Sequence, residues 1–500
     1  MVKNIVVFGA GKSSTYLIEY LSGILVSHNL NLILVDANEA VALEKLQNSP
    51  NTKGIGLDVK NDLERKAQIE IADLVISMLP PALHYLVALD CLEFGKNLLT
   101  ASYTDSTLTR LAPQIKEKGL LFLCEMGLDP GIDHMSAMKL IHQLRSEGAT
   151  ITSFRSHCGG LVAPESDDNP WRYKVSWNPR NVVLAGKTGA VYREKGDLRV
   201  LNYEQLFDPL RRVNIPGLAE LCYYPNRDSL HYIDLYQLGD IPTFVRTTLR
   251  YPEFSFGWKN LIELQLTDEK PQYETDGMSL KRFYQKHLNE NGFSQWIEKQ
   301  LTARFAQTKV LLEKLRQLLN AEQEADASQL KELRDFMMVD TKGELLDVNL
   351  DDVKNKAAST VVGQMHEANL SMKQLFFLGM DDDDTLINKG KCSAADVLQL
   401  SLETKLSLRP GEKDMIIMLH EIDYTLKKKL HRLKSCLIVK GQDDVHTAMA
   451  RTVGLPLAIA AKLILEKKIN LTGLHIPVLP EIYEPVLKEL ASLGIVFQES

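Results

Sequence analysis

The chain opens on four apolar residues, 5–8, that stop at the turn Gly9-Ala10-Gly11. A helical spacing through Tyr16, Leu17, Tyr20 and Leu21 then leads to a second apolar run, residues 32–35, ending at Asp36. This is a strand, a helix and a second strand. The cycle repeats with a helical pattern over residues 39–46, an apolar run at 54–59, a polar helix at 62–68 and a run at 73–79 stopped by Pro80-Pro81. Residues 97–100 and 120–124 read as further strands, alternating with helical stretches at 84–92 and 108–118. Such alternation predicts an α/β fold built on a parallel, doubly wound sheet.

The pattern changes after the turn Asp129-Pro130-Gly131 and a helix over about 133–145. Segments rich in Tyr, Trp and Arg, such as 173–177 and 243–251, read as β structure in a second domain. From about 261 to 400 the spacing is that of amphipathic helix, clearest in Leu301, Phe305, Leu312, Leu315 and Leu319. Strands return at 414–422 and 432–439, and a helix of small residues follows around 447–465. The expected division is residues 1–130, completed by about 447–500, then an α/β domain of 131–260 with 401–446, and a helical subdomain of 261–400. The acidic run Asp381 to Asp384 offers hard-cation ligands, but no glycine inside it lets four adjacent carboxylates converge. It is expected to be a solvated loop, with no metal.

Composition narrows the function. At about 150 residues per domain, 500 residues make roughly three domains, and 45% hydrophobic with 25% charged residues describes an ordinary soluble globular chain. The 58 basic and 65 acidic side chains leave a net charge of -7, the wrong sign for a phosphate-backbone binder, so no nucleic-acid partner is expected. Cys91, Cys124, Cys158, Cys222, Cys392 and Cys436 lie tens of residues apart and form no C-x-x-C pair, which suits a reducing cytoplasm. The N-terminal apolar run is too short for a signal-peptide core. No uninterrupted apolar stretch nears the roughly 18 residues of a membrane helix.

The turn Gly9-Ala10-Gly11 sits where a dinucleotide fingerprint belongs. Gly9 allows the tight turn, and Gly11 lets a pyrophosphate approach the helix N-terminus, although Ser14 replaces the third glycine. Gly11-Lys12-Ser13 is no P-loop of the kinase or nucleoside-triphosphatase type, because that motif's first glycine would fall at Val6. Asp36 would accept hydrogen bonds from the ribose hydroxyls of NAD and repel the extra phosphate of NADP. NAD is therefore the expected cofactor, with NADP the alternative. Thr100-Ala101-Ser102-Tyr103 and the stretch from Gly127 to His134 follow two further strands and should line the same crevice.

Longer motifs bring a resemblance. The run Glu125 to His134, then Ser156 to Glu165, Asn169-Pro170 and Tyr173 to Trp177, closely resembles saccharopine dehydrogenase of the L-glutamate-forming type. The similarity continues through Tyr224-Pro225-Asn226-Arg227-Asp228-Ser229, Thr248-Leu249-Arg250-Tyr251 and Ala448 to Pro456, in the family's order over nearly the whole chain. It implies a lysine-pathway reaction. Saccharopine, NAD(P)+ and water would interconvert with glutamate, 2-aminoadipate 6-semialdehyde and NAD(P)H, in a homodimer whose second domain carries the interface. The resemblance places the cofactor on Gly9, Ala10, Gly11, Lys12, Ser13, Asp36, Asp58, Val59, Leu79, Ser102, Leu128, Asp129, Pro130 and Ser176. It places the substrate on Ser102, Tyr103, Asp129, Arg227, Thr248, Leu249 and Arg250.

The residue types suit that chemistry. Saccharopine carries three carboxylates, and Arg227 and Arg250 are fixed cationic forks able to bind them. Oxidation of the secondary amine gives an imine that water attacks, so protons must move at nitrogen and oxygen. The resemblance offers Tyr103, Asp129 and Cys158 for that role. His157 stands where the family usually has tyrosine and is expected to be a packed structural histidine, and Lys12 puts a charge where the family tends to be apolar. Two rivals remain: a related reductase of the carboxynorspermidine type, and a non-catalytic homologue that binds NAD. The motifs around Arg227 and Arg250 argue against the first, and intact Tyr103, Asp129, Arg227 and Arg250 against the second.

Overall fold

The computed structural model describes residues 2–300, 302, 335–339, 345–349 and 369–500. The stripe from Leu301 to Leu319 lies outside them. The chain divides into two compact units, the first formed by Met1–Asp168, Arg172–Ser255 and Leu406–Ser500, the second by Asn169–Trp171 and Phe256–Lys405.

The first unit contains a sheet of seven parallel strands. Their order is Gly473–His475, Leu121–Leu123, Asn97–Thr100, Leu74–Ser77, Lys3–Phe8, Leu30–Asp36 and Thr52–Gly56. The chain reverses its direction of travel between Lys3–Phe8 and Leu74–Ser77, and this opens a crevice at their carboxyl ends. The strands read as unbroken apolar runs because both faces are covered. Ile5, Val7, Leu32 and Leu34 face one cluster, and Val6, Phe8, Ile33 and Val35 face the other. Strand Gly473–His475 reaches the sheet from the far end of the chain. The helix before it, Ala448–Leu465, packs on the helix Thr15–His28. A side chain at Gly454 would meet the backbone nitrogen of Leu17 at 2.8 Å, so the two helices touch backbone to backbone. Among the described residues Ala448–Leu465 is the one helix long and apolar enough to cross a membrane, and 72% of it is buried inside the protein.

The same unit holds a ten-stranded mixed sheet. Its centre is Thr150–Val162, parallel to Thr243–Arg250 on one side and antiparallel to Asp414–Leu426 on the other. Register pairs Arg246 with Ser156, Thr248 with Cys158 and Met418 with Cys158. Strand alternation therefore lines Arg246, Thr248 and Arg250 up with Ser156 and Cys158 on one face. Leu249, Leu161, Ile417 and Leu419 form an apolar cluster on the other. Phe154, Phe244 and Met418 join the helix Ile132–Ser146 and the first sheet in one continuous core.

Two expectations need correction. Residues 173–177 form no strand but an extended segment with a single bridge, Val175 to Ser407. Arg172 takes a left-handed φ of 46° just before it, and the chain cannot run on as a strand through that conformation. The second unit is not wholly helical. Beside helices Leu280–Glu290 and Ala394–Lys405 it has the strand pairs Tyr273–Glu274 with Lys391–Cys392 and Asp335–Val339 with Leu345–Asn349. Within its acidic run, Asp382 accepts from the Thr385 amide at 2.9 Å and pairs with Lys405, while Asp383 accepts from Ser279 Oγ at 2.7 Å. Their side chains are thus committed to different partners.

The helix contact at Gly454 is open to test. Gly454→Ala should lower stability by about 1–3 kcal/mol, the usual penalty of overpacking. Ser13 O lies 3.3 Å from the new methyl position, so dinucleotide affinity should fall as well. Urea unfolding and a fluorescence titration with reduced dinucleotide check both effects.

Candidate active site

The crevice of the parallel sheet is assembled from strand ends. The Gly9 amide donates to Val35 O at 2.8 Å, Ala10 N donates to Asp36 Oδ2 at 2.8 Å, and Asn38 N donates to Asp36 Oδ1 at 3.0 Å. Gly11 and Lys12 are exposed at the start of the first helix, whose N-cap, Ser14, makes no side-chain capping bond. This helix start, with Gly11 and Lys12 open, is where an anion would bind. Asp58 holds its own turn by accepting from Lys60 N at 2.9 Å, and Val59 O accepts from the buried Arg65, itself paired with Asp90 at 2.6 Å. Leu79, Ser102 and Leu128 to Pro130 follow the next three strands. These positions fit the phosphates, ribose and nicotinamide of a dinucleotide laid across the strand ends.

His84 was not among the sequence candidates. It is buried between Ser77 Oγ and Ser102 Oγ, 2.7 Å from each. Burial lowers its pKa to about 4, so at neutral pH it is an uncharged imidazole with one donor and one acceptor. It fixes the orientation of both serines. Nothing in the local sequence distinguishes it from an ordinary first-turn helix residue.

A second cluster lies where the helix Ile132–Ser146 begins. A side chain at Gly131, whose φ is 147°, would fall 2.0 Å from Gly127 O, so only glycine closes the tight turn from Gly127 that sets Asp129 and Asp133 side by side. Tyr103 Oη donates to Asp129 Oδ1 at 2.9 Å. Arg246 Nη2 donates to Asp129 Oδ1 and Asp133 Oδ2, both at 2.6 Å. Behind them Glu125 Oε2 accepts from Tyr232 at 3.1 Å and lies 2.9 Å from His134 Nε2, whose Nδ1 is 2.6 Å from Tyr236 Oη. Burial, opposed by Arg246 and reinforced by Asp133, raises the pKa of Asp129. Burial and Asp129 push the Tyr103 hydroxyl and the Cys158 thiol well above their ordinary values. Of the three candidates Asp129 alone is displaced towards the neutral range, and Tyr103 and Cys158 are held in their protonated forms beside it. Alternation in strand 243–250 was the signal for Arg246, two positions before Thr248 on the same face.

The remaining candidates separate. Arg250 is 4% exposed and, among the described residues, has no carboxylate partner. Its Nη1 donates to Leu249 O at 2.7 Å and its Nε is unpaired, while the guanidinium lies among the rings of Phe254 at 5.2 Å, Tyr173 at 5.3 Å and Tyr224 at 6.0 Å. Arg227 is exposed at the surface, 5.0 Å over the Tyr103 ring. Leu249 points into the opposite core, so of Thr248-Leu249-Arg250 only the outer two side chains share the face of Cys158. Ser176 hydrogen-bonds Asp414, which caps the helix Ala448–Leu465 by accepting from Ala448 N and Met449 N. His157 also faces away from Cys158, with Nδ1 2.7 Å from Thr247 Oγ1 and Nε2 3.5 Å from Glu421.

Seven parallel strands in this order, with a glycine turn at the crevice, define the dinucleotide-binding part of an oxidoreductase. Two family models match the chain, the saccharopine dehydrogenase NADP binding domain over residues 5–123 and the saccharopine dehydrogenase C-terminal domain over residues 127–495. The chain belongs to the saccharopine dehydrogenase family. It is 29% identical over 499 residues to the saccharopine dehydrogenase [NADP(+), L-glutamate-forming] of Schizosaccharomyces pombe, covering 99% of this chain and 98% of that protein. It is 31% identical over 478 residues to the alpha-aminoadipic semialdehyde synthase of Arabidopsis thaliana, covering 94% of this chain but 40% of that protein. The chain thus spans less than half the length of the plant relative. Among solved structures, apo saccharopine dehydrogenase (L-Glu forming) from Saccharomyces cerevisiae superimposes with a TM-score of 0.75 at 26% identity, covering 100% of this chain and 99% of that one.

The matching domain is named for NADP, whereas Asp36 alone argued for NAD. Both oxygens of Asp36 are engaged by backbone N–H groups of the glycine turn and of Asn38, so the carboxylate here orders the phosphate loop. Asp36→Ala should therefore weaken NADP and NAD alike, by about tenfold or more, since a hydrogen bond to a charged group is worth roughly 1.5–3 kcal/mol. Selective recovery of NADP affinity in equilibrium titrations would show repulsion to be the larger effect.

His84 adds a pH dependence. Its folded-state pKa of about 4 lies below the ordinary 6.5. Between those values the unfolded chain takes up a proton that the folded chain refuses, so stability falls as pH drops through that window. His84→Gln should flatten the fall measured by denaturant unfolding, leaving the similar part due to buried His420.

Proposed function

We propose that this chain interconverts saccharopine, oxidised nicotinamide dinucleotide and water with L-glutamate, 2-aminoadipate 6-semialdehyde and the reduced dinucleotide, in lysine metabolism. The observation that carries the proposal is Arg250, a buried guanidinium that has no carboxylate partner among the described residues, in the same strand face as Thr248 and Arg246. A buried cation left unpaired is the arrangement a carboxylate ligand completes. Arg227, exposed above Tyr103, is a second fork for a substrate with several carboxylates. The names of the fungal relatives support saccharopine as that substrate and NADP as the cofactor.

When bound, the dinucleotide supplies the hydride acceptor. Gly9 to Ser13 and Ser102 would hold it across the strand ends. Arg227 and Arg250 anchor the substrate so that its secondary amine meets Asp129. There Asp129 takes the amine proton as the carbon–nitrogen bond is oxidised to an imine. It gives that proton up to solvent, takes another from the water that adds to the imine, and returns it to the nitrogen of glutamate as the carbon–nitrogen bond breaks. Tyr103 holds Oδ1 of Asp129 throughout, and Cys158, kept as a thiol, lines the same pocket without taking a proton.

The proposal extends to a cytoplasmic homodimer. The six cysteines are all free, and Leu198 and Val200 leave an apolar strip exposed on the outer strand Asp197–Leu201 that a second copy could cover. Sedimentation at micromolar concentration reads the oligomeric state.

The decisive assay follows nicotinamide absorbance with purified chain, saccharopine and either NADP or NAD. Turnover with at least one of them is expected, and none with either would overturn the function. Arg250→Met should raise the KM for saccharopine by about 30-fold or more, from the 2–5 kcal/mol carried by such a buried contact, while dinucleotide affinity stays within about twofold. Parallel losses in both would remove Arg250 from the substrate site.

A further inference from the structure

Arg246 differs from the other two arginines of the site in being paired with two buried carboxylates. It is 3% exposed, its Nη2 is shared between Asp129 and Asp133, and its guanidinium lies 4.3 Å over the Tyr232 ring and 5.8 Å over the Tyr103 ring. It comes from the second sheet, Asp129 comes from the turn that follows the parallel sheet, and Asp133 comes from the first turn of the helix Ile132–Ser146. Oδ1 of Asp129 takes both Tyr103 and Arg246, while among the described residues nothing hydrogen-bonds Oδ2. One edge of the carboxyl is therefore clamped and the other is left for a reacting group.

We propose that Arg246 is a positioning residue for Asp129, clamping Oδ1 so that Oδ2 faces the substrate nitrogen and holding the carboxylate charge in a buried site. The inference rests on the function proposed above. The groups facing this carboxyl come from every element around it: Tyr103 from the parallel sheet, Asp133 and His134 from the helix Ile132–Ser146, Glu125 before it, Tyr232 and Tyr236 from the segment His231–Tyr236, Cys158 from the central strand and His420 from its neighbour. Asp129, Asp133 and Glu125 bring three carboxylates against Arg246 and His134. Without Arg246 the cluster keeps its negative charges and loses its fixed cation, so Asp129 is driven to retain its proton. Arg246 itself transfers no proton, because a guanidinium does not titrate in this range.

The test is the pH profile of kcat/KM for saccharopine oxidation in Arg246→Met and Arg246→Lys, with dinucleotide affinity measured alongside. In Arg246→Met the acidic limb, where the base loses activity by protonation, should move to higher pH by about one unit or more, and kcat at neutral pH should fall by about 10²-fold. Arg246→Lys should return the limb towards its original pH through its charge, while recovering kcat only in part because a rotatable ammonium does not fix Oδ1 as the planar, preorganised guanidinium does. In an Asp129→Asn background the Arg246→Met change should have little further effect on kcat, since both act through one group. Loss of rate with an unmoved limb in both variants, or full multiplicative loss in the Asp129→Asn background, overturns the positioning role. If Arg246→Met does not fold, the limb and rate of Arg246→Lys decide alone: a limb unmoved and a rate unchanged from the parent would show that the fork is not needed. Absence of saccharopine turnover in the unmodified protein overturns the function instead, and the two failures are thereby distinct.

Discussion

The structure depends on a single buried guanidinium held between two carboxylates. Arg246 projects from the ten-stranded sheet, while Asp129 projects from the turn that leaves the parallel sheet and Asp133 from the helix that follows it, and both contacts are 2.6 Å. Removing such charges from water is costly unless each finds a partner, so the two sheets are held in the one relation that satisfies all three. The same constraint explains the aromatic shell. Tyr103, Tyr232 and Tyr236 exclude water and still offer hydroxyls to Asp129, Glu125 and His134, so that the cluster is both dry and hydrogen-bonded.

Around that anchor the two sheets divide the chemistry between them. The parallel sheet offers backbone and short side chains at its strand ends, where an anionic dinucleotide needs close approach. His84 and Asp36 act there as internal braces, one neutral between two serines and one anionic beneath the glycine turn. The mixed sheet offers two long cationic side chains on one face of a single strand, Arg246 paired with carboxylates and Arg250 without one among the described residues. Two arginines four residues apart on one strand face thus have opposite electrostatic situations, one compensated by two carboxylates and one set among aromatic rings.

Much of this was legible from the chain alone. The apolar runs broken by turns, with helical spacing between them, determined the parallel sheet, because a strand covered on both faces must be apolar at every position. The glycine turn and Asp36 marked the crevice, and the motifs around Asp129, Arg227 and Arg250 marked the family, because tight turns and bidentate anion contacts tolerate few residue types. Only the tertiary structure decided what each charged residue does. Arg246 and Arg250 share a strand and a periodicity, and no local pattern tells which meets a carboxylate. That depends on where a turn more than a hundred residues earlier in the chain comes to lie. In the same way Leu249 and His157 were turned from the site by strand parity and register, and Asp36 was drawn under the glycine turn by the packing of two adjacent strand ends. Short-range spacing specifies elements and turns, whereas the pairing of buried charges is settled by long-range packing, where desolvation makes each partner obligatory.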